Sequence, residues 1–218
     1  MERKAGKILS ALKLGVLLIV ILLIASPFAW AKSKNFKIKV MTRNLYLGAD
    51  IFKVVEAAQT DPLTIPYAVA DVYQTMMYTN FWERAEAIAD EIALFEPDVV
   101  GLQEVSTYYI QTPGDFITGN QKQAEELVID FYTVLNDALE ARGMYYDTFT
   151  VTNADIEMPM IDPTAGPPYY LSDVRLVDHD VILVRKNHVA SNEYTGNYQW
   201  QLELDLGGTS VAFTRGYI

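Results

Sequence analysis

The chain has 218 residues, of which 17 are lysine or arginine and 28 are aspartate or glutamate, so its formal net charge is −11 at pH 7. So acidic a chain lacks the basic surface that neutralises phosphates, which argues against a strong nucleic-acid-binding surface. It has no cysteine, and this excludes disulfides, thiolate metal sites and cysteine nucleophiles. The acidity suits divalent cations, although an acidic surface also keeps exported proteins soluble.

The N-terminal segment has the three parts of a secretory signal. Four basic residues precede an uncharged run at 14–25, and Ala29-Trp30-Ala31 follows as an A-x-A cleavage site. We therefore expect residues 1–31 to be a signal peptide and the mature protein to be secreted or otherwise extracytoplasmic. A membrane anchor is the alternative, because Pro27 and Phe28 lengthen the apolar stretch. Cleavage after Ala31 removes four basic residues and one acidic residue, which changes the formal charge to −14.

The first predicted strand leads into a loop that contains glycine. "FKIKV" alternates apolar and cationic residues, which predicts a half-buried strand with Phe36, Ile38 and Val40 on its apolar face. Continued alternation places Asn44 on that face. A buried amide without partners costs about 1 to 3 kcal/mol. Asn44 is therefore either a turn residue bonded to its own backbone or part of a site.

Four helices are predicted from their end signals, which are capping residues, an N-terminal proline and glycine or proline stops. In chain order these signals are Asp50, Pro66, the capping boxes Asn80/Glu83 and Asn120/Gln123, and the stops Pro97 and Gly143. The third helix is the clearest, with five residues on one apolar face: Ala85, Ile88, Ala89, Ile92 and Phe95.

The strands indicate the fold class. "DVVGLQEVS" predicts a strand that is buried on both faces and ends at Glu104. "MYYDTFTVT" and "VDHDVILVRK" predict two more, separated by a proline-rich loop at 153–170, and Gly207-Gly208 predicts a hairpin turn. The predicted order is a strand, three helices, a strand, a helix and then successive strands. This order indicates an α+β or α/β architecture with helices packed against a sheet.

Asn44 and Glu104 share a predicted position, since each follows an apolar strand at its carboxyl end. Such strand ends converge in sheet-based enzymes and collect functional side chains. A carboxylate held there is costly unless it meets a cation, and Mg²⁺ takes one or two protein carboxylates and completes its shell with water and phosphate oxygen. An exposed glutamate at a strand end is the simpler alternative.

Two motifs around these residues, "VMTRNLYLGAD" and "ERAEAIADEIALFEPDVVGLQEVS", resemble the first two motifs of the endonuclease/exonuclease/phosphatase superfamily. These metal-dependent phosphoesterases include DNase I-like nucleases, sphingomyelinases and inositol-phosphate phosphatases. The resemblance implies that Asn44 belongs to a catalytic centre and that Glu104 is a ligand of the catalytic Mg²⁺ or Mn²⁺. It also implies a hydrolase of phosphodiesters or phosphomonoesters with a four-layer α/β/β/α sandwich. "DHDVILVRK" is similar to the central strand of the family.

The later motifs of that family, which are "THL"-like, "GDFN"-like and "SDH"-like, do not occur in the sequence. The resemblance therefore covers the N-terminal half or somewhat more of a family domain, and we expect residues 32–218 to form an incomplete one. Because the family's general base is missing, the chain as given is expected to have little or no activity. The alternative function is a non-catalytic truncated product or a secreted binding scaffold.

Other polar residues are weaker candidates. Asp178-His179 could be mistaken for the missing aspartate-histidine pair, but it leads directly into a strand. His188 lies in a polar turn, and Arg175 and Arg185 flank strands, where arginines are usually surface or ion-paired residues. As substrate, the acidity slightly favours a lipid head group or a small phosphoester over DNA. No stable protein partner is predicted.

Overall fold

The computed structural model describes residues 37–186, 188, 194–205 and 210–217. The expected signal peptide, Phe36 of the first predicted strand and the Gly207-Gly208 turn lie outside these residues. From Ile38 onward the described residues belong to one compact unit. In this described part, no helix is both long and apolar enough to cross a membrane.

A five-stranded mixed sheet organises the molecule, with the order β1-β2-β5-β4 and with β3 paired to β2. The described strands are β1 (Val40–Asn44), β2 (Val99–Gln111), β3 (Glu126–Asp130), β4 (Tyr146–Ile161), β5 (Leu171–Arg185), β6 (Gly196–Asn197), β7 (Leu202–Asp205), β8 (Ser210–Phe213) and β9 (Gly216–Tyr217). Strands β1 and β2 are parallel, and the other pairs in the sheet are antiparallel. Strands β7 and β8 pair as the predicted hairpin.

Four α-helices lie in the described part of the chain, and each corresponds to a predicted helix. They are α1 (Phe52–Thr60), α2 (Ile65–Tyr78), α3 (Phe81–Phe95) and α4 (Phe131–Glu140), with short 3-10 turns at Pro62–Thr64 and Phe116–Thr118. The crossover from β1 to β2 contains α1, α2 and α3, as a parallel strand pair requires. The architecture is therefore α+β, in agreement with the sequence.

The fourth helix begins later than predicted. Residues 126–130 form β3, which pairs with the edge of β2 beyond the point where β1 ends. The helical periodicity does not reveal this pairing, because its hydrogen bonds are made with a distant strand. Asp130, rather than Asn120, caps the helix by accepting the backbone N–H groups of Tyr132 and Thr133. At the other end, Gly143 has the left-handed φ of 71° expected of a terminating glycine.

The other helix signals are realised in part. Asn80 precedes α3 in a left-handed conformation (φ 45°) and makes no capping bond to the helix backbone, although its side chain contacts Glu83. Phe95, predicted on the buried face, is 57% exposed. Pro66 lies in the first turn of α2, and the Asp50 carboxylate accepts the N–H of Phe52 at the start of α1.

The strands also differ from their predicted limits. Ile38 and Val40 are exposed, Val40 to 71%, so the predicted burial of their face is wrong. Strand β2 runs on past Glu104 to Gln111, and both of its faces are covered at 105–108. Strand β4 continues to Ile161 through residues predicted as a loop. Its Pro159 is tolerated because β4 is the outer strand of the sheet.

The Asp130 cap gives a direct test of where α4 begins. Asp130 Oδ1 lies 2.9 Å from the Tyr132 amide and 3.3 Å from the Thr133 amide. We expect Asp130→Ala to lower the free energy of unfolding by about 0.5 to 2 kcal/mol, because these amides lose their acceptor. Asp130→Asn, which keeps a side-chain oxygen, should lose less in urea denaturation. Equal stability of the alanine variant and wild type would contradict this capping role.

Candidate functional site

Asn44 and Glu104 are in direct contact at the end of β1. Asn44 Nδ2 donates to Glu104 Oε1 over 2.8 Å, while Asn44 Oδ1 accepts the N–H of Tyr46 over 2.7 Å. The Asn44 side chain therefore forms a turn with its own backbone and also holds the Glu104 carboxylate of the neighbouring strand β2. The second carboxylate oxygen of Glu104 accepts the N–H of Leu47 at 2.9 Å. Each oxygen of Glu104 thus has one fixed donor.

A β-bulge positions Glu104. Leu102 pairs with Val181 and Val105 with His179, so Gln103 and Glu104 together oppose one residue of β5. Glu104 has a φ of 55°, a left-handed conformation that is costly for a residue with a side chain. Bulges of this kind redirect side chains next to functional sites. Glu104 therefore occupies a bulge in the middle of β2, and its predicted position at the strand end is wrong.

The loop that carries Leu47 is held from two sides. Arg84 of α3 donates to the carbonyl oxygens of Leu45 at 2.6 Å and Tyr46 at 3.2 Å. The hydroxyl of Tyr108, a buried residue of β2, donates to the Leu47 carbonyl over 2.8 Å. Backbone carbonyls of the loop are thus bonded to a helix and to the sheet, which fixes the amide that faces Glu104.

Three further polar residues lie beside this pair. Ser106 Oγ is 3.4 Å from Asp178 Oδ1, and Asn153 Nδ2 donates to Asp178 Oδ2 over 3.3 Å. Burial raises the pKa of Asp178 and the bond from Asn153 lowers it. Among the weaker influences, the Asp180 and Glu104 carboxylates raise this pKa and Arg215 lowers it. Asn153 and Ser106 were not identified from the sequence. The sequence signals that could have pointed to this cluster were Asp178, which lies within an apolar strand, and Ser106, which follows Glu104 by two residues.

The other sequence candidates have partners elsewhere. His179 Nδ1 lies 3.1 Å from the Val105 carbonyl oxygen, and His188 pairs with Asp98 at 2.9 Å. Arg175 makes two hydrogen bonds of 2.6 Å to Asp155, and Arg185 donates to the sulfur of Met144. The structure thus records the contacts of these four side chains with groups other than Glu104.

The donor set suits a weakly held cation. Within the described residues there is no metal-binding arrangement of three or more histidine, cysteine, aspartate or glutamate residues. Mg²⁺, however, often uses only one or two carboxylates and keeps several waters. Glu104, prepositioned by two N–H donors and with Asp178 close enough to interact electrostatically, fits such a site.

An apolar cleft lies along the same face of the sheet. Ser106 pairs with Asp178 and Tyr108 with Leu176, so the side chains of both pairs project from one face, about 7 Å apart along the strands. The cleft is partly open to solvent, has a cavity volume of about 70 Å³, and is lined by Ile51, Val54, Val69, Val72, Tyr73, Tyr108, Ile156, Met158, Val174 and Leu176. An apolar group of a ligand could therefore bind two residues along the strands from Ser106 and Asp178.

Comparisons with protein-family models, with curated proteins and with solved structures found no match for this chain. The family resemblance of the two motifs therefore stays a prediction, and the function has to be argued from the site itself.

Proposed function

We propose that the chain carries the metal-binding part of a phosphoester hydrolase centre, with Glu104 as metal ligand and Asn44 as its positioning partner. The observation that supports this most is the hydrogen bond from Asn44 to Glu104, formed where a bulge turns Glu104 toward the end of the neighbouring parallel strand. Three features fix the orientation of the Glu104 carboxylate, namely the β-bulge, the left-handed backbone conformation of Glu104 and the hydrogen bond from the Leu47 amide.

Each residue has a distinct role in this proposal. Bound Mg²⁺ or Mn²⁺ would polarise a phosphoryl oxygen and stabilise charge on the leaving oxygen. Glu104 supplies a carboxylate oxygen to the cation, and Asn44 and the Leu47 amide hold that carboxylate in place. Asp178, which accepts a hydrogen bond from Asn153, adds a second negative charge near Glu104 and is not assigned the role of general base.

The finer fold and the location of the protein belong to the same proposal. We place the five-stranded sheet as one layer of a four-layer α/β/β/α sandwich to which residues 32–218 contribute. Residues 1–31 act as a signal peptide, so the substrate is met outside the cytoplasm. The parallel β1–β2 pair with its helical crossover supports this arrangement.

A lipid head group or a small phosphoester is the preferred substrate class. The acidic chain offers little attraction for a polyanion such as DNA. The apolar cleft next to Ser106 and Asp178 adds support for a phosphoester with an apolar substituent, because such a group loses contact with water there.

A non-catalytic binding scaffold is the second candidate. Its support is that His179 contacts the Val105 carbonyl oxygen and His188 contacts Asp98, and neither of these contacts is with Glu104. A general base typically contributes about 10² to 10⁴ in rate. The proposal therefore predicts metal binding with turnover close to background.

Glu104→Gln tests the metal site. We expect the Mn²⁺ affinity of the full chain, followed by the electron paramagnetic resonance signal of free Mn²⁺, to fall about tenfold or more. Glutamine keeps the shape of the side chain and an oxygen for the Leu47 amide but removes the charge and the oxygen that accepts the Asn44 amide. The control is Glu56→Gln, which makes the same charge change at an exposed position of α1. Unchanged Mn²⁺ binding by Glu104→Gln would contradict the proposed ligand.

The same variants separate the two functions when assayed with bis-p-nitrophenyl phosphate, sphingomyelin and plasmid DNA. Turnover near background in wild type, with metal binding that depends on Glu104, favours the metal-binding part of a centre without its base. Robust turnover that Glu104→Gln abolishes would mean that the chain carries its own base, and Asp178 would be the first residue to replace. Binding of a phosphoester without turnover or metal dependence would favour the scaffold.

A further inference from the structure

A second polar cluster lies beneath the loop at 112–125, on the other side of the sheet from Glu104. Five side-chain atoms of the described residues are buried polar atoms without a hydrogen-bond partner, and four of them belong to this loop and the strand ends it covers. These four are Gln111 Oε1, Asp115 Oδ1, Asn120 Oδ1 and Asp173 Oδ1. All four are oxygens that can only accept, since ionised carboxylates and amide oxygens have no proton to donate.

Hydrogen bonds bring the four residues together. Asp173 Oδ2 accepts the N–H groups of Asp115 at 2.6 Å and Phe116 at 2.9 Å, so its Oδ1 is the oxygen left over. Gln111 lies directly opposite Asp173 in the pairing of β2 with β5. The N–H of Asn120 donates to the Asp115 carbonyl over 3.0 Å. The cluster is therefore local, built from one loop and two neighbouring strand ends.

The loop lies close over Asp173. The N–H of Gly114 donates to the Leu171 carbonyl over 2.8 Å, and a Cβ added at Gly114 would lie 2.5 Å from Asp173 Oδ1. Asp173 is only 1% exposed. Glycine at 114 thus lets the backbone cover a carboxylate that a side chain would displace.

The carboxylates of the cluster have no recorded counter-ion. In the described part of the chain, no salt bridge involves Asp115 or Asp173. Burial raises the pKa of Asp173, and the Asp115 carboxylate raises it further against the two backbone bonds. Burial also raises the pKa of Glu157, a neighbour that accepts the Ala124 amide, while that hydrogen bond and the positive charge of Arg175 lower it. Buried anions that repel one another are costly unless a cation joins them.

We propose that this loop binds Ca²⁺ through Asp115, Asp173, Asn120 and Gln111. Ca²⁺ takes six to eight oxygens and accepts carboxylates and amide carbonyls in flexible geometry, whereas Mg²⁺ demands a tighter octahedron and usually keeps several waters. Two carboxylates and two amides, each with one buried oxygen that lacks a partner, match the preference of Ca²⁺. The site is separate from Glu104, because Asp173 and Asp178 are five residues apart on β5 and so lie on opposite faces.

Bound Ca²⁺ stabilises the fold by joining the loop to β2 and β5. Thermal unfolding of the full chain, first treated with a chelator, tests this. At a Ca²⁺ concentration about one hundred times Kd, the midpoint should rise by about 5 to 10 °C, and Mg²⁺ should have a much smaller effect. Isothermal titration calorimetry should show a single Ca²⁺ site that remains in Glu104→Gln.

Asp173→Asn is the informative variant, because asparagine keeps an oxygen for the Asp115 and Phe116 amides but replaces the unpartnered Oδ1 with an uncharged NH2 group that cannot bind a cation. We expect it to lose the Ca²⁺-dependent rise, while its midpoint without Ca²⁺ is equal to or above that of wild type. Asp137→Asn, the same change at an exposed position of α4, should keep the full rise. Asp115→Asn should weaken Ca²⁺ binding as well, which provides a second reading if Asp173→Asn folds poorly.

A wild-type chain with no Ca²⁺-dependent shift and no heat of Ca²⁺ binding would overturn the proposal and indicate that buried water satisfies the four oxygens. A full Ca²⁺ effect in both Asp173→Asn and Asp115→Asn would overturn it too, because binding would then lie elsewhere. An equal response to Mg²⁺ would contradict the assignment to Ca²⁺.

Discussion

The Phe131→Ala variant is expected to unfold with a free energy about 3 to 5 kcal/mol below that of wild type, the usual cost of removing a buried aromatic side chain. Phe131 is fully buried at the start of α4, and its ring stacks on Phe81 with centroids 3.8 Å apart. Tyr108 lies against it at 6.1 Å. The ring therefore joins α3, α4 and β2, and its loss leaves a cavity where three elements meet.

Urea denaturation followed by circular dichroism measures this loss. Phe131→Leu should lose less, because leucine refills part of the cavity. The control is Phe52→Ala, which removes a ring that is largely exposed at the start of α1 and should change stability little. If Phe131→Ala were no less stable than Phe52→Ala, the junction of α3, α4 and β2 would not be a rigid part of the core.

The Arg84→Lys variant is expected to lower the free energy of unfolding by about 2 to 4 kcal/mol, although it keeps the positive charge. The Arg84 guanidinium donates to three carbonyl oxygens, those of Thr79, Leu45 and Tyr46. An ammonium group cannot reach all three in this planar arrangement. The Leu45 carbonyl belongs to a buried residue, so losing its donor carries a desolvation cost.

Arg84→Lys has a second expected effect at Glu104. The same loop presents the Leu47 amide to the Glu104 carboxylate, so a looser loop should weaken Mn²⁺ binding as well as stability. Arg43→Lys is the matched control, because Arg43 forms a surface ion pair with Glu91 at 3.4 Å, and such pairs contribute about 1 kcal/mol or less. Normal Mn²⁺ binding by a destabilised Arg84→Lys variant would show that the loop does not control the orientation of Glu104.

Local patterns in the sequence were sufficient for the main elements. The apolar periodicity of α3 and its proline stop, the glycine after α4 and the apolar runs of β2 and β5 all depend on residues close together in the chain. The α+β class follows from their order. The pairing of Asn44 with the region of Glu104 also followed from sequence, because two strands joined by a helical crossover bring their carboxyl ends together.

Long-range pairing decided the features that the sequence analysis misplaced. Residues 126–130 form a strand because the edge of β2 is free there, and β4 extends through Pro159 because it lies outermost in the sheet. The same cause explains the orientation of the Glu104 side chain. A β-bulge redirects this side chain, and the bulge forms because of the register in which β2 pairs with β5. None of these partners is near in sequence.

The sequence by itself determined which residues carry charge and which stretches are apolar, because composition and periodicity are local properties. Only the tertiary structure decided which oxygens lose water without gaining a donor. Asp173 and Gln111 are opposite each other through strand pairing, and Asp115 reaches them through a loop that lies close over Asp173 at Gly114. Burial of a polar atom depends on everything packed around it, so the unpartnered oxygens of Asp115 and Asp173 could be found only from the folded chain, whereas the sequence already pointed to Asn44 and Glu104.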